Sequence, residues 1–371
     1  MSDTNPGSAS PGAHSLIEIL SQPECWTACL NELPEIISAQ KIIETFSGAR
    51  EWLFVGCGSS YYIALAAAAS WTAITRQRAR AIPASEILLF PELALAGSDK
   101  LAAVVISRSG RTSEAVRAAE VLEREKGIRC LGVTCTANEQ LEGVVTRTIA
   151  VLPADEKSTV MTRSFTSMLL ALQYTAASIA KDNHLVTGLK KMAGQAAPRL
   201  SELNPEIRKF VDDHHFADYI ALGQGPYYGL SCECGLKVSE MSSSYAQSFH
   251  TLEFRHGPKS VVSPETLVMF LISGAGYEAE VDVLEEIKSL GGTTVSVVNR
   301  ADQRVRACSD LLVEFGFDVP ELARLAPYVF AGQLMGLYTG LRKGLDPDNP
   351  RNLTRVVVLD EEKSEKTHAA L

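Results

Sequence analysis

The chain has 371 residues, 46% hydrophobic and 21% charged, a composition that suits two globular domains. Its formal net charge of −9 argues against a nucleic-acid partner or a polybasic membrane role. No apolar run approaches the roughly 18 residues of a membrane span, and "MSDTNPGSASPGAH" has neither the basic nor the apolar region of a signal peptide, so residues 1–14 read as a disordered leader.

The first ordered element is "SLIEILSQPECWTACLNELPEIISAQKIIETF", amphipathic and helical, with interruptions at Pro23 and Pro34. "EWLFVGCGSS" is a short apolar strand ending in Gly-Cys-Gly, and the helix "YYIALAAAASWTAI" after it is apolar on every face and so expected to be buried. "AIPASEILLF" and "LAAVVISRSG" follow, the second leading into a helix; then come the β-rich runs "GIRCLGVTC" and "VTRTIAVLPA" and the long helix "RSFTSMLLALQYTAASIA". Strands alternating with helices indicate a doubly wound parallel sheet. The order then restarts: "DYIALGQGPYYGLSCECGLKVSEM" repeats strand, Gly-x-Gly, Tyr-Tyr and helix, and "TLVMFLISGAGYEAEVDVLEEIKSLGGTTVSVVN" repeats the later strand, turn, helix and strand. Gly58 to Ser107 is 49 positions and Gly225 to Ser273 is 48, which points to a duplicated α/β unit joined near "DNHLVTGLKKMAGQAAPRLSELNPE".

The duplication supplies a control for "ISRSGRTSE". The second copy has "LISGAGYE" where the first has Ser107, Arg108, Ser109, Gly110, Arg111 and Thr112. Hydroxyls and backbone N–H groups at a helix start can cradle a phosphate, with Gly110 permitting close approach. A simple N-cap would need only one such hydroxyl. Arg108 either adds a charge contact to the phosphate or pairs with a nearby carboxylate. "GCGSSYY" is not a dinucleotide fingerprint, because Tyr61 stands where the third glycine belongs; Gly56 and Gly58 instead bring Ser59 and Ser60 to the carboxyl edge of the sheet. Glu233, Lys237 and Glu240 are spaced i, i+4, i+7 on one helix face, either a solvated stripe or one end of a crevice. His256, beside Gly257 and Pro258, is by itself a loop residue that matters only if it reaches the same ligand as the carboxylates. The eight cysteines lack metal-ligand spacing and read as free thiols of a cytoplasmic protein, with no metal implied.

Taken in order, "GCGSSYY", "ISRSGRTSE", "VMTRSFTSMLLALQ", "GLKVSE", "FRHGPKS" and "DPDNPRNLTRVVVLDEE" resemble the SIS (sugar isomerase) domain family. The likeness is to the isomerase half of glucosamine-6-phosphate synthase and to the amino-sugar-phosphate deaminase/isomerases, the galactosamine-6-phosphate group especially. It implies two tandem SIS domains, each a doubly wound, flavodoxin-like parallel sheet: N-terminal helices over 15–48, a phosphate-binding domain over 49–190, a second domain over 200–345 and a tail over 346–371 that folds across the site. It further implies that Ser107, Ser109 and Thr112 bind the sugar phosphate, that Gly58, Ser60 and Thr162 line the sugar, and that Glu240 is the base between C1 and C2. Lys237 and Glu233 lie near that base, and His256 assists ring opening across a homodimer interface.

Two departures from the synthase shape the expectation. Its glutaminase part has no counterpart in this sequence, so the chain is not expected to take ammonia from glutamine. Its Schiff-base lysine is replaced by Arg355, whose guanidinium stays protonated, and Lys363 is a poor substitute. The expected activity is therefore aldose–ketose isomerisation of a hexose 6-phosphate, with deamination of a hexosamine 6-phosphate and no cofactor. A phosphosugar sensor and an aminotransferase fed by a separate glutaminase are the alternatives.

Overall fold

The computed structural model describes residues 10–97 and 100–359. Residues 1–9 of the expected leader, residues 360–371 of the tail and Lys363 lie outside the described residues, and Ala13 and His14 already belong to the first helix.

The first half runs α1 (Ala13–Leu20), α2 (Gln22–Ala39), α3 (Ile42–Thr45), β1 (Glu51–Gly56), α4 (Ser59–Thr75), β2 (Arg78–Pro83), α5 (Ala84–Leu89), α6 (Pro91–Leu95), β3 (Leu101–Ile106), α7 (Ser113–Glu120), β4 (Cys130–Thr134), β5 (Arg147–Ala150) and α8 (Arg163–Ala180). A long helix, α9 (Asn183–Asp213), leads to β6 (Asp218–Gly223), α10 (Pro226–Ser242), β7 (Tyr245–His250), β8 (Thr266–Leu271), α11 (Tyr277–Ser289), β9 (Thr293–Val298), α12 (Gln303–Cys308), β10 (Leu311–Glu314) and α13 (Phe330–Arg342). The strands form two parallel five-stranded sheets with the orders β2-β1-β3-β4-β5 and β10-β9-β8-β6-β7. Read from the other edge, the second order is that of the first, so the repeated spacing in the sequence is a repeated topology. The backbone repeats as well: Gly58 has φ 55 and ψ −128, and Gly225 has φ 55 and ψ −127. An L side chain at that conformation is strained, which accounts for glycine at both strand-to-helix turns.

Both sheets are covered on both faces, so their central strands are buried throughout. In β1, Trp52 and Phe54 face a core shared by the two sheets, while Leu53 and Val55 face an outer core beneath α5 and α7. In β8, Leu267, Met269 and Leu271 face the shared core, and Val268 and Phe270 face an outer core with α11. The shared core is filled by α2, α4, α8, α9, α10 and α13. Two contacts there position the site. A Cβ on Gly229 of α10 would lie 2.6 Å from Ala66 N and Tyr62 O of α4, so only glycine lets these helices touch. Gly332, Gly336 and Gly340 of α13 bring that helix equally close to Cys234, Lys237 and Met241 of α10. Helix α10 is thereby clamped between α4 and α13, and whatever polar groups it carries are removed from water.

The expected joint between the halves is helical and well packed. It is the 31-residue α9, which keeps helical form through Pro198 and Pro205 and buries Leu185, Leu189, Met192, Ala196, Leu200 and Leu203 in the shared core. "AIPASEILLF" divides into the end of β2 and the helix α5.

Candidate active site

Helix α10 carries Glu233 and Lys237 fully buried, with Glu240 one turn further on and partly open to solvent. The stripe is therefore no solvated face. Lys237 Nζ lies 3.3 Å from Glu233 Oε1 and is bonded to Glu240 Oε2. Ser59, at the start of α4, completes the cluster: its hydroxyl donates to Glu233 Oε1 at 3.2 Å and accepts from Lys237 Nζ at 3.3 Å. One half of the chain thus contributes the carboxylates and the ammonium, and the other contributes the hydroxyl between them.

Burial pushes the Glu233 carboxyl up to about 8, against the pull of Lys237. Burial also draws the Lys237 ammonium down, but Glu233 and Glu240 outweigh it and leave Lys237 raised, hence protonated. Glu233 Oε2 has no hydrogen-bond partner among the described residues. Buried ion pairs seldom add net stability, because desolvation offsets their attraction. A charged cluster in the middle of the core is better explained by chemistry than by folding.

The turn after β3 lies at the carboxyl edge of the first sheet, where ligands of such folds bind. Ser107, Ser109 and Gly110 are buried, and Gly110 adopts φ 64. The Ser107 hydroxyl donates to Thr112 Oγ1 at 3.2 Å, and Arg111 N–H donates to Ser109 Oγ at 3.2 Å. The N–H groups of Ser109 and Thr112 have no partner among the described residues. The first N–H of α7 itself is taken: Ser113 N donates to Val357 O at 3.2 Å, and Leu359 N donates back to Ser113 Oγ at 3.0 Å. The carboxyl-terminal segment thus crosses the mouth of the turn, and an anion there would be held by turn hydroxyls and turn N–H groups rather than by the helix end.

Arg108 takes the second of its two expected roles. Its guanidinium is buried, 3.4 Å from Glu156 Oε2, and donates to Val160 O at 3.3 Å, Thr159 O at 3.0 Å and Arg355 O at 2.9 Å. It ties the tail to the segment before α8 and has little left for a phosphate. Arg355 places its own side chain on Asp155, at 2.5 Å. Thr162 is fully buried and donates both N–H and hydroxyl to Glu156 Oε1 at 2.7 Å, so it supports Arg108 instead of lining the crevice.

Of the remaining expected residues, Ser60 is buried in the first turn of α4 and Gly58 caps that helix. His256 is exposed on a short turn after β7, with no side-chain contact to the α10 cluster among the described residues. Ser59 was placed with Ser60 at the carboxyl edge of the sheet but given no role, and Glu156 carried no signal, being one of two acids in "ADEKST".

Residues 45–178 match the family model for the SIS domain. The chain is 26% identical over 359 residues to a glutamine–fructose-6-phosphate aminotransferase (isomerizing) of Pyrobaculum aerophilum, a match covering 93% of this chain and 57% of the relative. A counterpart from Thermococcus kodakarensis is also 26% identical, over 93% of this chain and 58% of that protein. The chain thus spans little more than half the length of these curated relatives. Among solved structures it resembles glucosamine-6-phosphate deaminase from Thermotoga maritima, with a TM-score of 0.76 and 27% identity over 94% of this chain and 100% of that one. The fold is shared with tagatose-6-phosphate ketose/aldose isomerase from Escherichia coli, with a TM-score of 0.82 and 21% identity over 96% and 98% of the two chains.

Proposed function

With a SIS domain at residues 45–178 as the premise, we propose that the chain is a phosphosugar aldose–ketose isomerase that deaminates a hexosamine 6-phosphate. In this reading the second five-stranded unit, over 200–345, is a second copy of the same domain. The observation that carries the proposal is the Ser59–Glu233–Lys237–Glu240 cluster, in which a buried ammonium holds one solvent-accessible carboxylate.

Isomerisation needs a single carboxylate that removes a proton from C2 and returns it to C1. Glu240 has the accessibility for that transfer, and Lys237 fixes its position and offers positive charge where an enediolate develops. Ser107, Ser109 and Thr112 anchor the phosphate, whose binding energy orients the reacting carbons. With an amino group on C2, the same transfer converts the open-chain aldehyde into a C2 ketimine. Water adds to that carbon, the C–N bond breaks, and ketose 6-phosphate and ammonia leave. His256 assists ring opening from a second copy of the chain, and Ser60 touches the sugar. Arg355 forms no imine, and the tail it belongs to serves as a cover.

Incubation with glucosamine 6-phosphate and galactosamine 6-phosphate tests this directly. Ammonia and ketose phosphate are expected in equal amounts; the absence of both with either substrate refutes the deaminase. The same site run towards the amino sugar, with ammonia from another protein, is the reading favoured by the aminotransferase relatives. It predicts net synthesis from fructose 6-phosphate once ammonium is supplied.

A further inference from the structure

We propose that the second half carries its own anion site, distinct from the Ser107–Thr112 turn, and that it binds a small phosphate monoester. A cavity of about 450 Å³ opens where α9 meets the loops that follow β9 and β10. That volume lies within the roughly 300–1,000 Å³ usual for small-ligand pockets. One wall is the first two turns of α9, which present His184 and Lys191 on a single face. The facing wall is Arg300, beyond β9, with the chain from Phe317 to Pro320 beyond β10, and Arg324 closes the inner end.

The charges in this cavity do not balance. Lys191, Arg300 and Arg324 line it with basic side chains, and the only acid on the lining among the described residues is Asp318, exposed and paired with Lys191 at 2.8 Å. Arg300 lies near enough to Asp318 to help Lys191 hold that carboxyl below its usual range, but no hydrogen bond or ion pair of its own is found among the described residues. Arg324 is partly satisfied: its Nη1 makes one long bond of 3.4 Å to Val319 O and its guanidinium reaches the Tyr328 hydroxyl, but its Nε is buried without a partner among the described residues. Behind it, Glu321 gives its Oε1 to Gly274 N–H and the Tyr227 hydroxyl, which leaves Oε2 on the side of Arg324. A buried guanidinium nitrogen without an acceptor is costly, and an anion in the cavity would relieve that cost.

The shape selects the class of anion. The Asn299 amide is used up on both backbone groups of Phe317, so it sets the wall and leaves the ligand to the cations. Phe317 is only 3% exposed and offers no face for stacking a base. With a chain charge of −9, a polyanion is also disfavoured. A compact dianion on a small polar body remains. The inference does not rest on the reaction assigned above.

Equilibrium dialysis with radiolabelled inorganic phosphate and with glucitol 6-phosphate, which has no carbonyl to turn over, separates the two sites. Two equivalents per chain are expected for the wild type and one for Arg300→Glu, with residual affinity at the second site weakened at least about tenfold. Ser109→Ala should also leave one equivalent, retained by the second site. Glucitol 6-phosphate binding where inorganic phosphate does not would assign the sugar body a part in recognition; equal binding assigns it to the phosphate alone. A wild-type stoichiometry of one, abolished by Ser109→Ala and untouched by Arg300→Glu, overturns the second site and leaves the substrate reading intact. One equivalent lost in Arg300→Glu but kept in Ser109→Ala would do the reverse. Lys191→Ala, at an exposed position, guards against a folding defect in the first variant and should weaken the same equivalent.

Discussion

After β3 the chain gathers Ser107, Ser109 and Thr112 around Gly110 and leaves the N–H groups of Ser109 and Thr112 without partners among the described residues. After β8 the corresponding turn is filled by the protein's own carboxylates. Ser273 donates its N–H at 3.2 Å and its hydroxyl to Glu280, and Gly274 N–H donates to Glu321 Oε1 at 2.5 Å. A strand-to-helix turn of this kind collects backbone donors that call for negative charge. In the second half the chain's own carboxyl groups accept from these donors; in the first half, on the proposed reading, a ligand does. The two crossover helices differ in the opposite sense. Helix α4, "SSYYIALAAAASWTAIT", has no ionisable group but its tyrosines, whereas α10 holds Glu233, Lys237 and Glu240. On the proposed reading, one half binds and the other moves protons.

That division makes its strongest claim at Glu240. Glu240→Gln keeps the size of the side chain and an acceptor for Lys237, and removes the base. A fall in kcat of about 10²–10⁴-fold with KM little changed is expected from steady-state kinetics. If KM rises in place of the fall in kcat, α10 belongs to binding and the division between the halves is lost. Next in size is the double variant Ser109→Ala with Thr112→Ala. Losing two hydroxyls from a phosphate should lower kcat/KM by about 100-fold, chiefly through KM. Inhibition by inorganic phosphate should weaken in parallel, and unchanged phosphate inhibition would remove the anchor from this turn.

The second turn can be tested through pH. Burial raises the Glu280 carboxyl from 4.5 to about 7, against its bonds to Ser273. Because the folded protein holds this proton more tightly than the unfolded chain, the turn costs nothing below about 4.5 and loses stability as pH rises through about 7. Glu280→Gln, which keeps one of the two oxygens that accept from Ser273, should be more stable than the wild type above pH 7. A gain of about 3 kcal/mol is the upper expectation, since the shift from 4.5 to about 7 is worth about 1.4 kcal/mol per pKa unit, vanishing below pH 4.5. Urea melts at pH 4.5 and 8 measure the difference; equal differences at both values would show that Glu280 is not the turn's resident charge.

How legible these features were depends on whether they leave a periodic trace. The strands buried on both faces were plain as apolar runs, and the helix "RSFTSMLLALQYTAASIA" has the bounds of α8, Arg163–Ala180. Strand β7 left no trace, because "YAQSFH" sits at a sheet edge, half-buried and mixed in polarity. The stretch that joins the halves reads as a polar-to-mixed helical linker; it is helical, and its apolar residues at helical spacing are locked into the shared core. At the site, spacing put Glu233, Lys237 and Glu240 on one face, but their burial depends on Gly229, Gly332 and Gly336 of other contacts, which no local pattern encodes. Arg108 and Thr162 were drawn from the right segments, yet both turn to Glu156, a loop acid whose partners lie 48 and 6 residues away in sequence.

The smallest effect compares the two turns through their glycines. Gly110 has φ +64, and a Cβ there would lie 2.7 Å from Glu139 Cβ, an atom fixed close to its own backbone. Gly110→Ala should therefore cost about 1–2 kcal/mol in left-handed strain alone, plus the displacement of Glu139. At Gly274 the φ is ordinary, and a Cβ would meet Glu321 Oε2 at 3.0 Å and Arg324 Nη2 at 3.3 Å, both at the ends of long side chains that can shift. Gly274→Ala should cost less than about 1 kcal/mol. Thermal melts of the two variants, with and without 10 mM phosphate as the chosen condition, give the ordering. Phosphate should stabilise Gly110→Ala less than it does the wild type, because the shifted turn no longer closes on the anion. It should stabilise Gly274→Ala as much as the wild type unless the cavity beside Arg324 is also a phosphate site, in which case part of that protection is lost when Arg324 moves.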